Sequence, residues 1–538
     1  MFGVSNCKLL PFKENVNSKI TLEKRTESVV GWKNTMSKQL MKKPLFFAHS
    51  ENKKGKKHLL SEHLYDTACY AESFSDNSLF AKLFRTSGLL HDLGKYQIDF
   101  QHYLERGGKK GSVPHAAWGA GYARIHQMNE ISFAIDGHHN GLPNQATWQS
   151  DTNPFKHNDV INFKEAIDTF IEDTKIETFQ PEPLNSKDKL ERELFIRYLF
   201  SALTDADWLS TEKHFEQDKF DVRINQKLPI DDLILKLEKH LLEKPKSGEI
   251  NKLRNLTRKQ ILKKATMPIG IYSLTLPTCL GKTLSSFLWA LKHAKKNNLK
   301  RIIIVLPYIN IIDQTAQILK EILGDDLILE HHSSYNEDEI KNKNGESLNT
   351  SLEYKKNLAC ENWDYPIIVT TTVQFFESLF SNKPSKCRKI HNIGKSVIIF
   401  DEIQALPKEI VLPTITMLKN IHKVMNTSFL FCTATQPAFE KRQKFDGLEK
   451  IEPLISDPSD LYEKTRRVDY HFVKDLEYIG YSDLSTLINQ TNGSTLVIFN
   501  TKKATLEFFT NIQNQNSWDR KYHLSTAMCP AHRKKNHF

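Results

Sequence analysis

The chain has 538 residues, 39% of them hydrophobic, and 75 Lys and Arg against 64 Asp and Glu give a formal charge of +11. That length allows about three domains at roughly 150 residues each, with enough apolar side chains to bury real cores. The mild positive excess suits a polyanionic partner such as nucleic acid but does not demand one. Seven cysteines (Cys7, Cys69, Cys279, Cys360, Cys387, Cys432 and Cys529) are scattered without a Cys-x-x-Cys pair. This spacing excludes a zinc ribbon or a disulfide framework and points to a reducing cytosol. The N-terminus has no secretory apolar core, and no run approaches the roughly 20 apolar residues that cross a bilayer. The expectation is a soluble cytoplasmic protein with no membrane partner.

Taken in order, residues 1–44 are polar and lysine-rich and read as an extension. From 45 to 220 the pattern is helical, with apolar residues recurring three and four apart, as in Leu59, Leu60, Leu64, Thr67 and Ala68. Gly107-Gly108-Lys-Lys-Gly111 and Gly141-Leu-Pro-Asn144 mark loops. Residues 221–250 are charged and helical and end in Glu243-Lys-Pro-Lys-Ser-Gly248, which reads as a linker. From 251 to 465 short apolar runs alternate with helices. The runs 269–274, 301–306, 366–370, 396–400 and 428–431 predict parallel strands covered on both faces. Their alternation with helices predicts a doubly wound sheet. A further strand at 494–499 opens a second α/β unit over 466–538.

Within the helical half, His91-Asp92 stands near the end of an apolar helix, between Gly88 and Gly94, which let the backbone turn close by. An imidazole and a carboxylate side by side can hold a divalent metal, and Lys95 could bring positive charge towards a bound phosphate. His63, His115, His138-His139 and Asp207 complete a set of five imidazoles and two carboxylates if they converge. That suffices for two metals about 4 Å apart, able to clamp both oxygens of a phosphodiester displacement. A lone histidine such as His63 or His115 on an apolar face is more often a packed core residue. The pair His138-His139 is harder to bury without a partner. Residues 191–210 read as one helix. Asp207 follows Ile196, Phe200 and Leu203 at the edge of its apolar face, whereas Asp205 follows Ser201 and Arg197 on the other side. Asp207 is the better ligand, and Asp205 reads as solvated or as a carboxylate behind the ligands.

In the α/β half, Leu276-Pro-Thr-Cys-Leu-Gly-Lys-Thr283 lies between a strand and a helix, the context of a phosphate-binding loop. Pro277, Thr278, Cys279, Leu280 and Gly281 would form the loop, Lys282 would sit on the β/γ-phosphates of ATP, and the Thr283 hydroxyl on Mg2+. Cys279 stands where a glycine is usual, and a positive φ there would strain it. Ile398-Ile-Phe-Asp-Glu-Ile-Gln404 puts Asp401 at the carboxyl end of a strand, to hold Mg2+, and Glu402 beside it, to orient the attacking water. Glu330-His-His-Ser-Ser334 lacks a carboxylate or cysteine partner at useful spacing and reads as a loop near nucleic acid.

The order His…His-Asp…His…His-His…Asp resembles the HD phosphohydrolase superfamily. Leu60-Ser-Glu-His63, His91-Asp-Leu-Gly-Lys95, His115-Ala-Ala-Trp-Gly-Ala120 and Thr204-Asp-Ala-Asp-Trp-Leu-Ser-Thr-Glu212 look like the HD nuclease domain of type I CRISPR interference. By that resemblance His63, His91, Asp92 and Asp207 would hold one metal, and Asp92 would bridge to a second held by His115, His138 and His139. Glu361 to Phe380, Cys387-Arg-Lys-Ile-His-Asn392 and Asp401-Glu-Ile-Gln-Ala-Leu-Pro407 look like the CRISPR-associated helicase–nuclease, and Thr433-Ala-Thr435 matches a superfamily 2 motif. The resemblance implies an all-α HD domain followed by RecA-like lobes. It also implies ATP with Mg2+, and two divalent metals among Mn2+, Co2+, Ni2+ and Mg2+. Its implied substrate is single-stranded DNA and its implied partner the type I RNA-guided surveillance complex. The expected activity is metal-dependent cleavage coupled to ATP-driven strand movement. The later motifs of the second lobe, with their arginine, are not found by residue 538, so a truncated, split or frameshifted chain with slow ATP hydrolysis and no unwinding is expected. Two rivals remain: an HD nuclease with a non-translocating, ATP-gated binding module, and a nucleotide phosphohydrolase.

Overall fold

A computed structural model describes residues 44–75, 78–109, 111–176, 184, 186–223, 226–332, 352–434, 439–469, 479–491, 493–515, 518–529 and 532. The extension 1–43, Lys110, Ser333-Ser334, Thr435 and Arg533 therefore lie outside the described residues. The chain forms two compact units, residues 1–465 and 466–538.

The first unit opens on a small antiparallel ladder, β1 (Phe47–His49) with β2 (His58–Leu59), which the helical pattern did not announce. Helices then follow: α1 (Leu60–Phe74), α2 (Ser78–Leu90), α3 (Ile98–Arg106), α4 (Ala116–Ile125), α5 (Asn129–Gly137), α6 (Gln145–Lys156), α7 (Phe163–Thr174) and the 27-residue α8 (Lys189–Phe215). Asp188 caps α8 by accepting from the amides of Leu190 and Glu191. Short α9 (Gln217–Val222) leads to α10 (Ile230–Glu243) and α11 (Glu249–Lys263).

The α/β part carries β3 (Ile271–Thr275), α12 (Lys282–Asn297), β4 (Arg301–Leu306), α13 (Ile309–Leu323), β5 (Ile328–His331) and α14 (Leu352–Asn362). It continues with β6 (Ile367–Thr371), α15 (Thr372–Phe380), α16 (Pro384–Cys387), β7 (Ser396–Asp401), α17 (Lys408–Met425), β8 (Ser428–Thr433), β9 (Glu452–Pro453) and α18 (Ser459–Lys464). The strands build one parallel sheet in the order β5-β6-β4-β7-β8-β3-β9. All five expected strands are present within one or two residues. Every side chain of β6 and β8 is buried, as the continuous apolar runs require. The two edge strands were missed. β5 is half polar, and β9 pairs over only two residues.

One apolar core runs from the N-terminal helices to the near face of the sheet. It joins Phe74, Phe195, Leu199 and Leu203 to Phe375, Ile390, Ile393, Leu418 and Phe400. A second core covers the far face with α12 and α13. The stretch expected to be a linker supplies α10 to that second core, where Leu233, Leu237 and Leu241 are buried one helical turn apart. Within the described part of that stretch, residues 226–229 and the Gly-bearing tail 244–248 keep loop character.

The second unit, described by itself, holds α19 (Tyr481–Asn489) and α20 (Lys502–Ile512) around Ile488 and Phe508. The strand expected at 494–499 does not form. No ladder partner exists among the described residues of this unit, and Leu496 and Ile498 are both 82% exposed. A lone extended segment gains no sheet hydrogen bonds and so has nothing to hold it as a strand.

Leu237→Ala, which truncates a fully buried α10 side chain, should destabilise the first unit by about 2–5 kcal/mol in urea unfolding. A linker helix would lose almost nothing.

Candidate metal centre and nucleotide site

The HD residues converge. His63 comes from α1, His91-Asp92 from the turn after α2, His115 from the start of α4, His138-His139 from the end of α5 and Asp207 from α8. Close backbone approach makes this possible. A Cβ on Gly88 would fall 2.5 Å from the Ala68 Cα, and one on Gly94 would fall 2.3 Å from the His115 carbonyl oxygen. Two groups of four form, Asp92 belonging to both: His63, His91, Asp92 and Asp207, and Asp92, His115, His138 and His139, each with its ligand atoms within 4.8 Å of one another.

Asp92 divides its oxygens between these groups. His63 Nε2 and His91 Nε2 stand 3.2 and 3.3 Å from Oδ2, whereas His115 Nε2 and His138 Nε2 stand 3.4 and 3.7 Å from Oδ1. Asp207 Oδ1 completes the first group at 3.4 Å from His63 and 3.6 Å from His91. His139 Nε2 reaches His115 Nε2 at 2.8 Å in the second. The far ring nitrogens are already engaged. His91 Nδ1 meets the Gly88 carbonyl at 2.7 Å, His138 Nδ1 the Ile135 carbonyl at 2.6 Å and His63 Nδ1 the Ser210 hydroxyl at 2.9 Å. A ring N–H given to a carbonyl leaves Nε2 as the lone-pair nitrogen, the tautomer a metal ligand needs.

Burial works against ionising Asp92, but the charges of His91 and Lys95 outweigh it and hold the carboxyl well below the usual carboxylate range. Asp207 is likewise held down, against burial, by its bonds with His63 and His91. For His91 burial is again opposed by the two carboxylates, which push the imidazole up to about 10. Burial lowers His115 to about 4, leaving it a neutral donor. Both oxygens of Asp92 and the Nε2 of His138 are buried without a hydrogen bond. Buried polar atoms left in this state are costly, and a set of imidazoles and carboxylates in this state fits divalent cations. Lys95 is buried, with Nζ 2.7 Å from Asp92 Oδ2 and donating to the Ala48 carbonyl at 3.2 Å, so it points inward rather than to solvent. The second group is the open side, since His139 is exposed.

Asp205 is not solvated. It is fully buried, and Arg388 donates to its Oδ1 from Nε at 2.7 Å while Asn362 donates to Oδ2 at 3.0 Å. The partner lies 183 residues away, out of reach of helical spacing. Helical spacing also missed His49 and His58, whose Nδ1 atoms meet at 3.2 Å across the β1–β2 ladder beside His63. Glu330 and His331 belong to β5 rather than to a loop. Asp313 and Glu330 stand near His332, carboxylate neighbours that sequence spacing did not reveal.

At the nucleotide site β3 runs through Leu276-Pro277 into a 3-10 turn, Thr278–Leu280, and α12 starts at Lys282. The left-handed residue is Gly281, at φ 71°, and Cys279 carries no positive φ, so the expected strain is absent. Arg254 of α11 donates to the Cys279 carbonyl at 2.7 Å. Lys282 Nζ lies 2.8 Å from Asp401 Oδ1 and also pairs with Glu402. Thr433 donates to Gln404 at 2.6 Å, tying the end of β8 to the turn after β7.

Residues 60–173 match the HD domain family and residues 256–443 the DEAD/DEAH box helicase family. The chain is therefore an HD domain joined to a DEAD/DEAH box helicase domain. In that arrangement it is Cas3-like. Over 277 residues, 47% of this chain and 30% of the relative, it is 28% identical to the CRISPR-associated nuclease/helicase Cas3 of Haloferax volcanii. The crystal structures of T. fusca Cas3 and of T. fusca Cas3-AMPPNP share the fold at a TM-score of 0.50, with 16% and 15% identity. They match over 72% and 73% of this chain and 49% and 50% of theirs. The chain thus spans under a third of the curated relative and about half of the solved ones. No helix among the described residues is long and apolar enough to cross a membrane.

Since Cys279 sits in a turn it can adopt, Cys279→Gly should leave ATP affinity within about twofold in a fluorescent-nucleotide titration. A gain of tenfold or more would mean that the side chain obstructs the loop.

Proposed function

We propose that the chain is a CRISPR-associated nuclease–helicase of type I interference. In this reading the HD centre cuts single-stranded DNA and the ATP site moves or gates the strand for a surveillance-complex partner. The observation that supports it best is Asp92, whose two oxygens face two separate sets of imidazoles. His63, His91, Asp92 and Asp207 would hold one divalent metal, and Asp92, His115, His138 and His139 the other. Such a pair supplies Lewis-acid charge and a lowered water pKa at a phosphodiester. The chain's own residues do the rest. Gly88, Ile135 and Ser210 fix the ring orientations of His91, His138 and His63. Lys95 offsets the charge of Asp92 from behind, and exposed His139 marks the side on which a strand would enter.

In the second module Lys282 is buried against Asp401 and Glu402. An arriving triphosphate would take over Lys282, freeing Asp401 for Mg2+ and Glu402 for the attacking water. The +11 charge suits tracking along a phosphate backbone.

Asp92→Ala should abolish metal-dependent cleavage of single-stranded DNA, and EDTA should mimic it, while ATP binding survives. Full cleavage by this variant would sink the assignment. dNTPs tested beside DNA check the nucleotide-phosphohydrolase alternative, which predicts release of phosphate from them instead. A centre with this many imidazoles is softer than the all-oxygen sites magnesium prefers. Mn2+, Co2+ or Ni2+ should therefore support cleavage better than Mg2+, and a titration with Mg2+ best would count against the ligand set.

A further inference from the structure

Helix α8 is gripped on two sides. Ser201, Asp205, Trp208 and Glu212, spaced four, three and four apart, form one stripe, held by the α/β module at the first three and by Arg223, just after α9, at Glu212. Ser201 Oγ accepts from the His391 amide at 3.0 Å. Arg388 grips Asp205 with Nε and a terminal nitrogen, both at 2.7 Å, and its guanidinium lies 4.4 Å from the centre of the Trp208 ring. Glu212 accepts two bonds from Arg223, at 2.5 and 2.7 Å. Arg223 also reaches Glu361 at 2.6 Å, and Glu361 in turn lies 3.2 Å from Arg388.

Asp207, Ser210, Thr211 and His214 form the other stripe, which faces the metal centre. Asp207 stands against His63 and His91, Ser210 bonds to His63, and Thr211 Oγ1 lies 3.4 Å from His49 Nε2. His214 bonds to the Ser50 carbonyl at 3.1 Å. At 3.6 residues per turn, positions two apart point about 200° from each other. A rotation of α8 that relaxes the first stripe therefore displaces the second.

We propose that Arg388 is a positioning residue for the HD metal centre. From the helicase domain, and without touching the centre, it fixes the rotation of α8 and so the seat of Asp207. The proposal rests on the metal reading above. Both members of the pair are almost wholly buried, at 2% exposure for Arg388 and 0% for Asp205. Removing Arg388 leaves the Asp205 charge buried with only Asn362 and His391 beside it, and α8, which carries Asp205, has to shift in response. The helicase domain is in this way part of the metal site's framework.

The test uses the full chain, titrated with Co2+ and read by its visible ligand-field absorption well below the melting temperature. Circular dichroism serves as the check on folding. Arg388→Gln should weaken cobalt binding about tenfold, the scale at which supporting partners of metal ligands act, and change the band intensities. The double variant D205N/R388Q, a neutral amide pair, should recover most of the affinity, an outcome that a general loss of stability would not produce. Arg388→Lys keeps a buried charge on Asp205 but loses the fork, and should shift affinity severalfold in the same direction. It carries the test if Arg388→Gln does not fold. Unchanged cobalt affinity and spectrum in the folded Arg388 variants would overturn the proposal alone. Absence of cobalt binding by the unsubstituted chain would overturn the metal reading and this proposal with it.

Discussion

A carboxylate kept from water stays ionised only if positive charge surrounds it, and Asp92 is the point on which the helical module turns. Both of its oxygens are buried without a hydrogen bond, and five basic side chains crowd them from four directions. Histidines alone are a poor remedy. Each proton they take up adds repulsion among neighbours, which is why His139 is driven down chiefly by His138, while His115 is driven down chiefly by burial. Divalent cations would resolve the conflict, because they would satisfy the carboxylates while leaving the imidazoles neutral. The glycine contacts at Gly88 and Gly94 exist to bring the backbones that close.

The α/β module meets a similar conflict with a different answer. Lys282 is nearly buried and has two carboxylates beside it. Burial raises the Asp401 carboxyl, and Lys282 offsets that only in part. The resulting ion pair ties Lys282 at the start of α12 to the acidic pair at the end of β7.

Much of this was legible in advance. Continuous apolar runs marked β3, β4, β6, β7 and β8, since only strands covered on both faces need them. The His-Asp dipeptide and the later histidines pointed to a metal centre, and the helical face separated Asp207 from Asp205. What escaped depended on distant partners. Asp205 was left open between a solvated carboxylate and one behind the ligands, because Arg388 and Asn362 are remote in sequence. The β1–β2 histidines obey no helical period, β5 carries Glu330 and His331 among its four residues, and α10 looked like a linker because its charged residues outnumber the three leucines it buries. Cys279 was expected to strain a loop whose left-handed turn falls two residues later, at Gly281.

The apolar core that passes from Phe74 and Leu199 to Phe375 and Leu418 constrains how the gene can vary. A cut anywhere in the boundary between the modules would leave each fragment with a sticky, water-averse face, and the leucines of α10 would be torn from the far side of the sheet. The two modules are therefore not interchangeable cassettes. A helicase half borrowed from a cousin would have to bring matching residues for α8, so drift at this seam must proceed in compensating pairs.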